Sequence, residues 1–246
     1  MCAGSSLAAK PKQLDLYLLI GQSNMAGRGE VASQDLKKHS RVWTLDKENQ
    51  WVLAQDPIHF DKKSAGVGPG RSFGIEMAEH TSQTEIGLVP CAVGGTSIRL
   101  WQPGGFDSKT EAHPYDDMLA RLKVAMQSGT VKGVLWHQGE ADGKMGERGK
   151  YEPALIELID RVRTECGNPD LPFVIGQLGQ FEGRPWSEGR KLVDAAQQAV
   201  AENSPFVGFV SSEGLEDRGD QTHFSADAAR ELGKRFAAKM IQLQNQ

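Results

Sequence analysis

Apolar positions along the chain fall into short unbroken runs. Longer stretches separate them, in which apolar residues recur every three or four positions. The runs LDLYLLI (14–20), EIGLVPCAV (85–93), VKGVLWHQ (131–138), LPFVIGQL (171–178) and PFVGFV (205–210) predict strands. They are continuous rather than alternating, as expected of parallel strands covered on both faces. Helical patterns lie between them. SFGIEMAEHT follows the Gly/Pro-rich GVGPGR. YDDMLARLKVAMQSG puts Met118, Leu119, Leu122 and Met126 near helical spacing, with acids at its start and Gly129 after its end. YEPALIELIDRVRTECG repeats the plan with Leu155, Leu158, Ile159 and Val162. EGRKLVDAAQQAVAEN follows Ser187, and the last helix pattern starts at Ser225; both serines are expected N-caps. Asp227 falls in the first turn of that helix, where its charge favours the helix dipole.

Strands alternating with helices imply right-handed crossovers and an α/β fold, a three-layer α/β/α sandwich. Residues 30–71 are less regular and rich in polar positions. Within them RVWTLDKENQWVLA predicts a small hairpin beside the site. Neither an internal repeat nor a long linker interrupts the pattern. A single domain over 14–246 is expected, with 1–13 as a flexible lead-in.

The 246 residues carry a formal net charge of −4, and basic residues are scattered in pairs at most. This argues against nucleic acid or an anionic membrane as the partner. No apolar stretch reaches the roughly 18 residues a membrane span needs. MCAGSSLAAKPK lacks the apolar centre of a secretory signal. The first clear element starts only near Leu14, which leaves two settings open: secreted or periplasmic after loss of a signal, otherwise the cytoplasm. The three cysteines, Cys2, Cys91 and Cys166, make no disulfide framework and no CxxC pair. Cys91 lies in an apolar run and reads as a buried, inert thiol.

Ligands in open α/β sheets bind beyond the carboxyl ends of the strands. Four polar clusters fall there: Gly21-Gln22-Ser23-Asn24, Gly94-Gly95-Thr96-Ser97, His137-Gln138-Gly139-Glu140, and Asp220-Gln221-Thr222-His223 before the last helix. A serine hydroxyl attacks an ester only with a base in reach and a third group orienting that base. His223 can be the base for Ser23, and Asp220, three residues earlier, can orient it. Acyl transfer also needs donors for the oxyanion. The N–H of Ser23, an N–H at Gly94 or Gly95, and the Gln138 amide can supply them.

The combination GQSNMAG, CAVGGTSI, WHQGEAD and DxxH resembles the SGNH-hydrolase superfamily. More narrowly it is similar to carbohydrate esterase family six, the acetyl xylan esterase and sialic-acid O-acetylesterase group. The resemblance runs from Leu16 to the final helix. It implies a flavodoxin-like sandwich of about five parallel strands and metal-independent, cofactor-free removal of acetyl groups from sugar hydroxyls. Ser23 matches the family's nucleophile, Gly94 or Gly95 its oxyanion glycine, Gln138 the third-block position, and His223 the catalytic histidine. The orienting carboxylate is Asp220 by motif position, with Glu140 as the alternative.

Other readings attach to several of these residues. Ser23 in isolation could cap a helix. Glu140 could be a solvated or capping charge. Arg71 either lines the pocket or ties its loop by a salt bridge. Trp101 either stacks on a sugar or fills the core. Gln22, Asn24 and Thr96 are expected around the substrate, with Gln22 and Asn24 holding the loop's shape. His137 is expected to hydrogen-bond within its loop, since its spacing to Glu140 and Asp142 matches no usual zinc motif. The expected substrate is an acetylated carbohydrate. A broader short-chain esterase and a non-catalytic sugar-binding protein are the alternatives.

Overall fold

A computed structural model describes residues 13–145 and 149–246. The first twelve residues of the expected lead-in lie outside the described residues. The elements run β1 (Leu14–Gly21), α1 (Ser23–Ala26), β2 (Val42–Leu45), β3 (Trp51–Leu53), α2 (Pro69–His80) and β4 (Glu85–Pro90). They continue with α3 (Pro114–Ala125), β5 (Gly129–His137), α4 (Asp142–Met145), α5 (Tyr151–Cys166), β6 (Phe173–Gly176), α6 (Glu188–Asn203), β7 (Val207–Val210) and α7 (Ala226–Gln244).

The strands form one sheet of order β3-β2-β4-β1-β5-β6-β7. All neighbours are parallel except β3, which turns back antiparallel on β2. Five of these strands are the expected ones. The predicted hairpin extends the sheet at the β4 edge, so six strands are parallel rather than five. It pairs there because Val42, Trp43 and Thr44 meet Ile86, Gly87 and Leu88 in parallel register. The strand within EIGLVPCAV ends at Pro90, although Cys91 and Val93 still donate to Leu19 and Gly21 of β1.

The continuous apolar runs have the expected cause. Leu14, Leu16, Leu18 and Ile20 of β1 pack with Met118 and Leu122 of α3, Leu155 and Leu158 of α5, and Val193 of α6. Tyr17 and Leu19 face the other way, onto Phe73 and Met77 of α2 and Leu232, Phe236 and Met240 of α7. Side chains alternate across a strand, so a strand covered on both faces is apolar at most positions, and in β1 the half-buried Asp15 near its start is the exception. Both expected serine caps form: Ser187 Oγ accepts from Arg190 N and Ser225 Oγ from Ala228 N. Met126 departs from expectation: it closes α3 and is exposed. Among the described residues no helix is long and apolar enough to cross a membrane.

The sheet positions the site through its central strand. β1 has β4 on one side and β5 on the other, which is where the connections leave in opposite directions and a crevice opens. Gly21 makes the close approach possible. Its φ is +130°, and a Cβ there would stand 2.1 Å from the His137 carbonyl oxygen.

Candidate active site

Ser23 opens the four-residue α1 directly beyond β1, with Gln22 rather than Ser23 as the capping residue. The Gln22 N–H donates to His137 O at 2.9 Å, and Val93 N donates to Gly21 O at 3.0 Å. Backbone bonds thus stitch the tips of β1, β4 and β5 together. Ser23 keeps 7 % of its surface exposed.

The loop before α7 brings His223 to it. His223 Nε2 lies 3.0 Å from Ser23 Oγ, and Nδ1 lies 2.8 Å from Asp220 Oδ2. An ionised carboxylate can only accept, so Nδ1 carries the proton and Nε2 is free to accept the serine hydroxyl. Asp220 Oδ1 accepts the backbone N–H of Thr222 and of His223, at 2.9 and 2.8 Å. Burial pushes the Asp220 carboxyl up, but these bonds outweigh it, and the net shift is downward. The carboxylate therefore stays ionised well into acid.

Glu140 takes no part in that chain. It is buried, and its Oε1 accepts from Asn24 Nδ2 at 2.6 Å, with His137 Nδ1 4.0 Å away. Asp220, the residue expected by motif position, occupies the imidazole nitrogen that the alternative, Glu140, would have had to reach. Asn24 Nδ2 also donates to Thr222 O at 3.1 Å, and its Oδ1 accepts from Phe224 N at 3.1 Å. Asn24 thereby clamps the residues on both sides of His223.

The oxyanion candidates separate. The Gly94 N–H donates to Asp61 Oδ2 at 2.9 Å, so it is spent. Gly95, at φ +90°, and Ser23 have N–H groups with no acceptor among the described residues. The Gln138 amide is also spent, against expectation. Its Nε2 donates to Thr96 O at 2.9 Å, Asp142 Oδ2 at 2.5 Å and Gln22 Oε1 at 3.3 Å, and its Oε1 accepts from Tyr151 OH at 3.0 Å. Gln138 is fully buried. It ties the β4 and β5 loops together rather than facing a reacting atom.

Several expected substrate contacts lie elsewhere. Trp101 is fully buried, its ring edge-to-face with Trp136 at 5.4 Å and its Nε1 donating to Thr96 Oγ1. It fills the core, and Thr96 is buried beneath the loop with its hydroxyl donating to Val93 O. Arg71 is buried in α2 and donates to Lys37 O, so it ties down the irregular segment instead of lining the pocket. Gln22 and Asn24 are nearly sealed, with protein partners on their amides, and shape the loop. His137 is buried, its Nε2 bonded to Gln177 O at 2.9 Å, and burial pushes it below the usual imidazole range. Cys91 is buried, which pushes its thiol up to about 12 and leaves it inert. Among the described residues no group of three or more His, Cys, Asp or Glu side chains converges as a metal site would.

Three residues that the sequence pattern did not single out stand at the site. Arg28 and Asp61 form an ion pair at 2.6 Å with side chains 5 % and 2 % exposed, and Lys62 Nζ donates to Gly94 O at 2.7 Å. Arg28 lies within the conspicuous GQSNMAGRGE. Asp61 and Lys62 lay in an irregular, polar stretch with nothing to distinguish them from solvated charges.

A serine with a histidine at its hydroxyl and a carboxylate behind that histidine is the arrangement of an acyl-transfer enzyme. The profile of the family described as "Carbohydrate esterase, sialic acid-specific acetylesterase" matches residues 13–242. A probable carbohydrate esterase of Arabidopsis thaliana is 30 % identical over 247 aligned positions, covering 90 % of this chain and 88 % of that one. The crystal structure of an Arabidopsis protein superposes with a TM-score of 0.81 at 29 % identity, covering 94 % of this chain and 98 % of that one. A carbohydrate acetylesterase from Xanthomonas citri shares the fold at a TM-score of 0.74 and 22 % identity, covering 94 % of this chain and 57 % of that one. The chain is an enzyme of the carbohydrate acetylesterase class and belongs to the carbohydrate esterase, sialic acid-specific acetylesterase family.

Proposed function

We propose that residues 14–246 act as a single SGNH-type domain that removes O-acetyl groups from a sugar through an acetyl-enzyme on Ser23. The observation that carries this is the unbroken chain from Ser23 Oγ through His223 to Asp220, at 3.0 and 2.8 Å. Ser23 Oγ attacks the acetyl carbonyl carbon while His223 Nε2 takes the hydroxyl proton. Asp220 stabilises the imidazolium that results. The Ser23 and Gly95 N–H groups bind the oxyanion. On collapse, His223 returns its proton to the leaving sugar oxygen, and the sugar departs. Water, deprotonated by the same nitrogen, then attacks the acetyl carbon; as the bond to Ser23 Oγ breaks, His223 Nε2 returns that proton to Oγ, and acetate leaves with the Ser23 hydroxyl restored.

Each step needs only groups that stand within one cluster, and no step calls for a metal. Acetylated xylan fragments and O-acetyl sialic acid are the substrates to set side by side. Hydrolysis of p-nitrophenyl acetate, butyrate and octanoate, with acetate release from the two sugars, tests the reading. The expected result is sugar deacetylation, activity that falls with acyl length, and loss of at least a thousandfold in Ser23→Ala. Fast cleavage of long acyl esters with no sugar turnover would point instead to a general short-chain esterase. Sugar binding without turnover of any ester would leave a binding protein.

A further inference from the structure

We infer that Asp61, paired with Arg28, and Lys62 are positioning residues that set the oxyanion hole, an inference that rests on the esterase reading above. Arg28 Nη2 and Nη1 donate to Asp61 Oδ2 and Oδ1 at 2.6 and 3.3 Å, and Nη1 also donates to Gly27 O at 2.6 Å. The carboxylate is thus paired on one side and accepts the Gly94 N–H on the other, at 2.9 Å. Both side chains of the pair are almost fully buried. Loss of either partner would strand a charge in a place with little solvent, so the arrangement holds as a unit.

Lys62 acts on the next peptide. Its Nζ donates to Gly94 O at 2.7 Å. The carbonyl of Gly94 and the N–H of Gly95 belong to one planar trans peptide, so they point in opposite directions. Fixing the carbonyl toward Lys62 aims the Gly95 N–H the other way. Asp61 fixes the preceding peptide and Lys62 this one, so the free donor has little rotational freedom left. The loop also lies against the serine: a Cβ at Gly94 would stand 3.5 Å from Ser23 Cβ, and 2.5 Å from Arg28 Nη2. No side chain fits between the loop and its brace.

A donor that meets the oxyanion only in the tetrahedral state raises kcat without tightening substrate binding. The test is steady-state hydrolysis of p-nitrophenyl acetate by wild type, Asp61→Asn, Lys62→Met and Lys62→Arg, with methylboronic acid as a probe that forms a tetrahedral adduct on a serine. Asp61→Asn is expected to lower kcat about 10- to 100-fold with KM within about twofold. Lys62 is exposed, so Lys62→Met should fold; its kcat is expected to fall about fivefold, with Lys62→Arg restoring most of it. Affinity for the boronic acid should fall by the same factor as kcat/KM. Unchanged kcat in both variants, or a change in KM alone, overturns the inference while leaving the esterase reading intact. A wild-type protein that turns over neither this ester nor the acetylated sugars overturns both.

Discussion

Asn24 Nδ2 donates to Glu140 Oε1 at 2.6 Å, and through that bond Glu140 acts on the histidine loop without touching the imidazole. The same amide reaches Thr222 O, and its carbonyl accepts from Phe224 N, so the residues flanking His223 are tied to the tip of β1. Two side chains working through one path should not add. Asn24→Ala and Glu140→Ala are each expected to lower kcat by about tenfold, and the double variant by little more than the worse single one. Steady-state kinetics on the four proteins of the cycle measures this. Fully additive losses would mean that Glu140 has a separate role.

Asp220 touches the imidazole directly, at 2.8 Å, so its loss should be felt more. In Asp220→Asn an amide nitrogen can face the imidazole and favour the tautomer with hydrogen on Nε2, which cannot accept the Ser23 proton. A drop in kcat of about a hundredfold or more is expected, with KM little changed. Glu140→Gln keeps an oxygen for Asn24 and should cost much less. The ratio of the two kcat values checks the assignment; a Glu140→Gln loss as large as that of Asp220→Asn would reverse it.

What the sequence made legible follows physical lines. A strand buried on both faces is apolar over most of its length, so β1, β4, β5, β6 and β7 were readable as runs. Caps such as Ser187 and Ser225 are local and could be read directly. The hairpin's existence was local too, but its pairing with β4 depended on a partner some forty residues away. Ser23, Asp220 and His223 could be placed because they stand at ends of elements. Where a side chain points once it leaves the backbone is decided by packing. Trp101 meets Trp136, and the Gln138 amide meets Thr96 and Asp142, and neither contact leaves a trace in local spacing. Asp61 was hidden for the same reason: its partner Arg28 is thirty-three positions away.

Gln138 gives a sharp test of that difference. As an oxyanion donor it would affect kcat and leave stability alone. As a tie between loops, with Nε2 bonded to Asp142 Oδ2 at 2.5 Å, it should affect stability first. Burial already pushes the Asp142 carboxyl up, against the bonds from Gln138 and Ile98 N. Gln138→Glu sets a second carboxyl against it, and the two cannot both ionise at low cost. The variant's Tm, relative to wild type, is expected to be markedly lower at pH 8 than at pH 5. Thermal melts at the two pH values check it; an equal deficit at both would show that the two carboxyls do not meet.

Asp56 carries a pH dependence of its own, away from the reacting groups. It is 2 % exposed, and its Oδ1 has no hydrogen-bond partner among the described residues. Burial raises its carboxyl to about 7, only partly offset by Arg71. In the unfolded chain the group releases its proton near about 4. Between these values the folded protein holds a proton that the unfolded chain has lost. Stability from this group is therefore complete only below about 4, where both states hold the proton, and declines as pH rises from there to about 7. Asp56→Asn keeps the shape and removes the titration. Its Tm should sit at or below the wild-type value at pH 5 and above it at pH 8. Parallel Tm-versus-pH curves for the two proteins would mean that Asp56 is ionised throughout and that Arg71 compensates its charge in full.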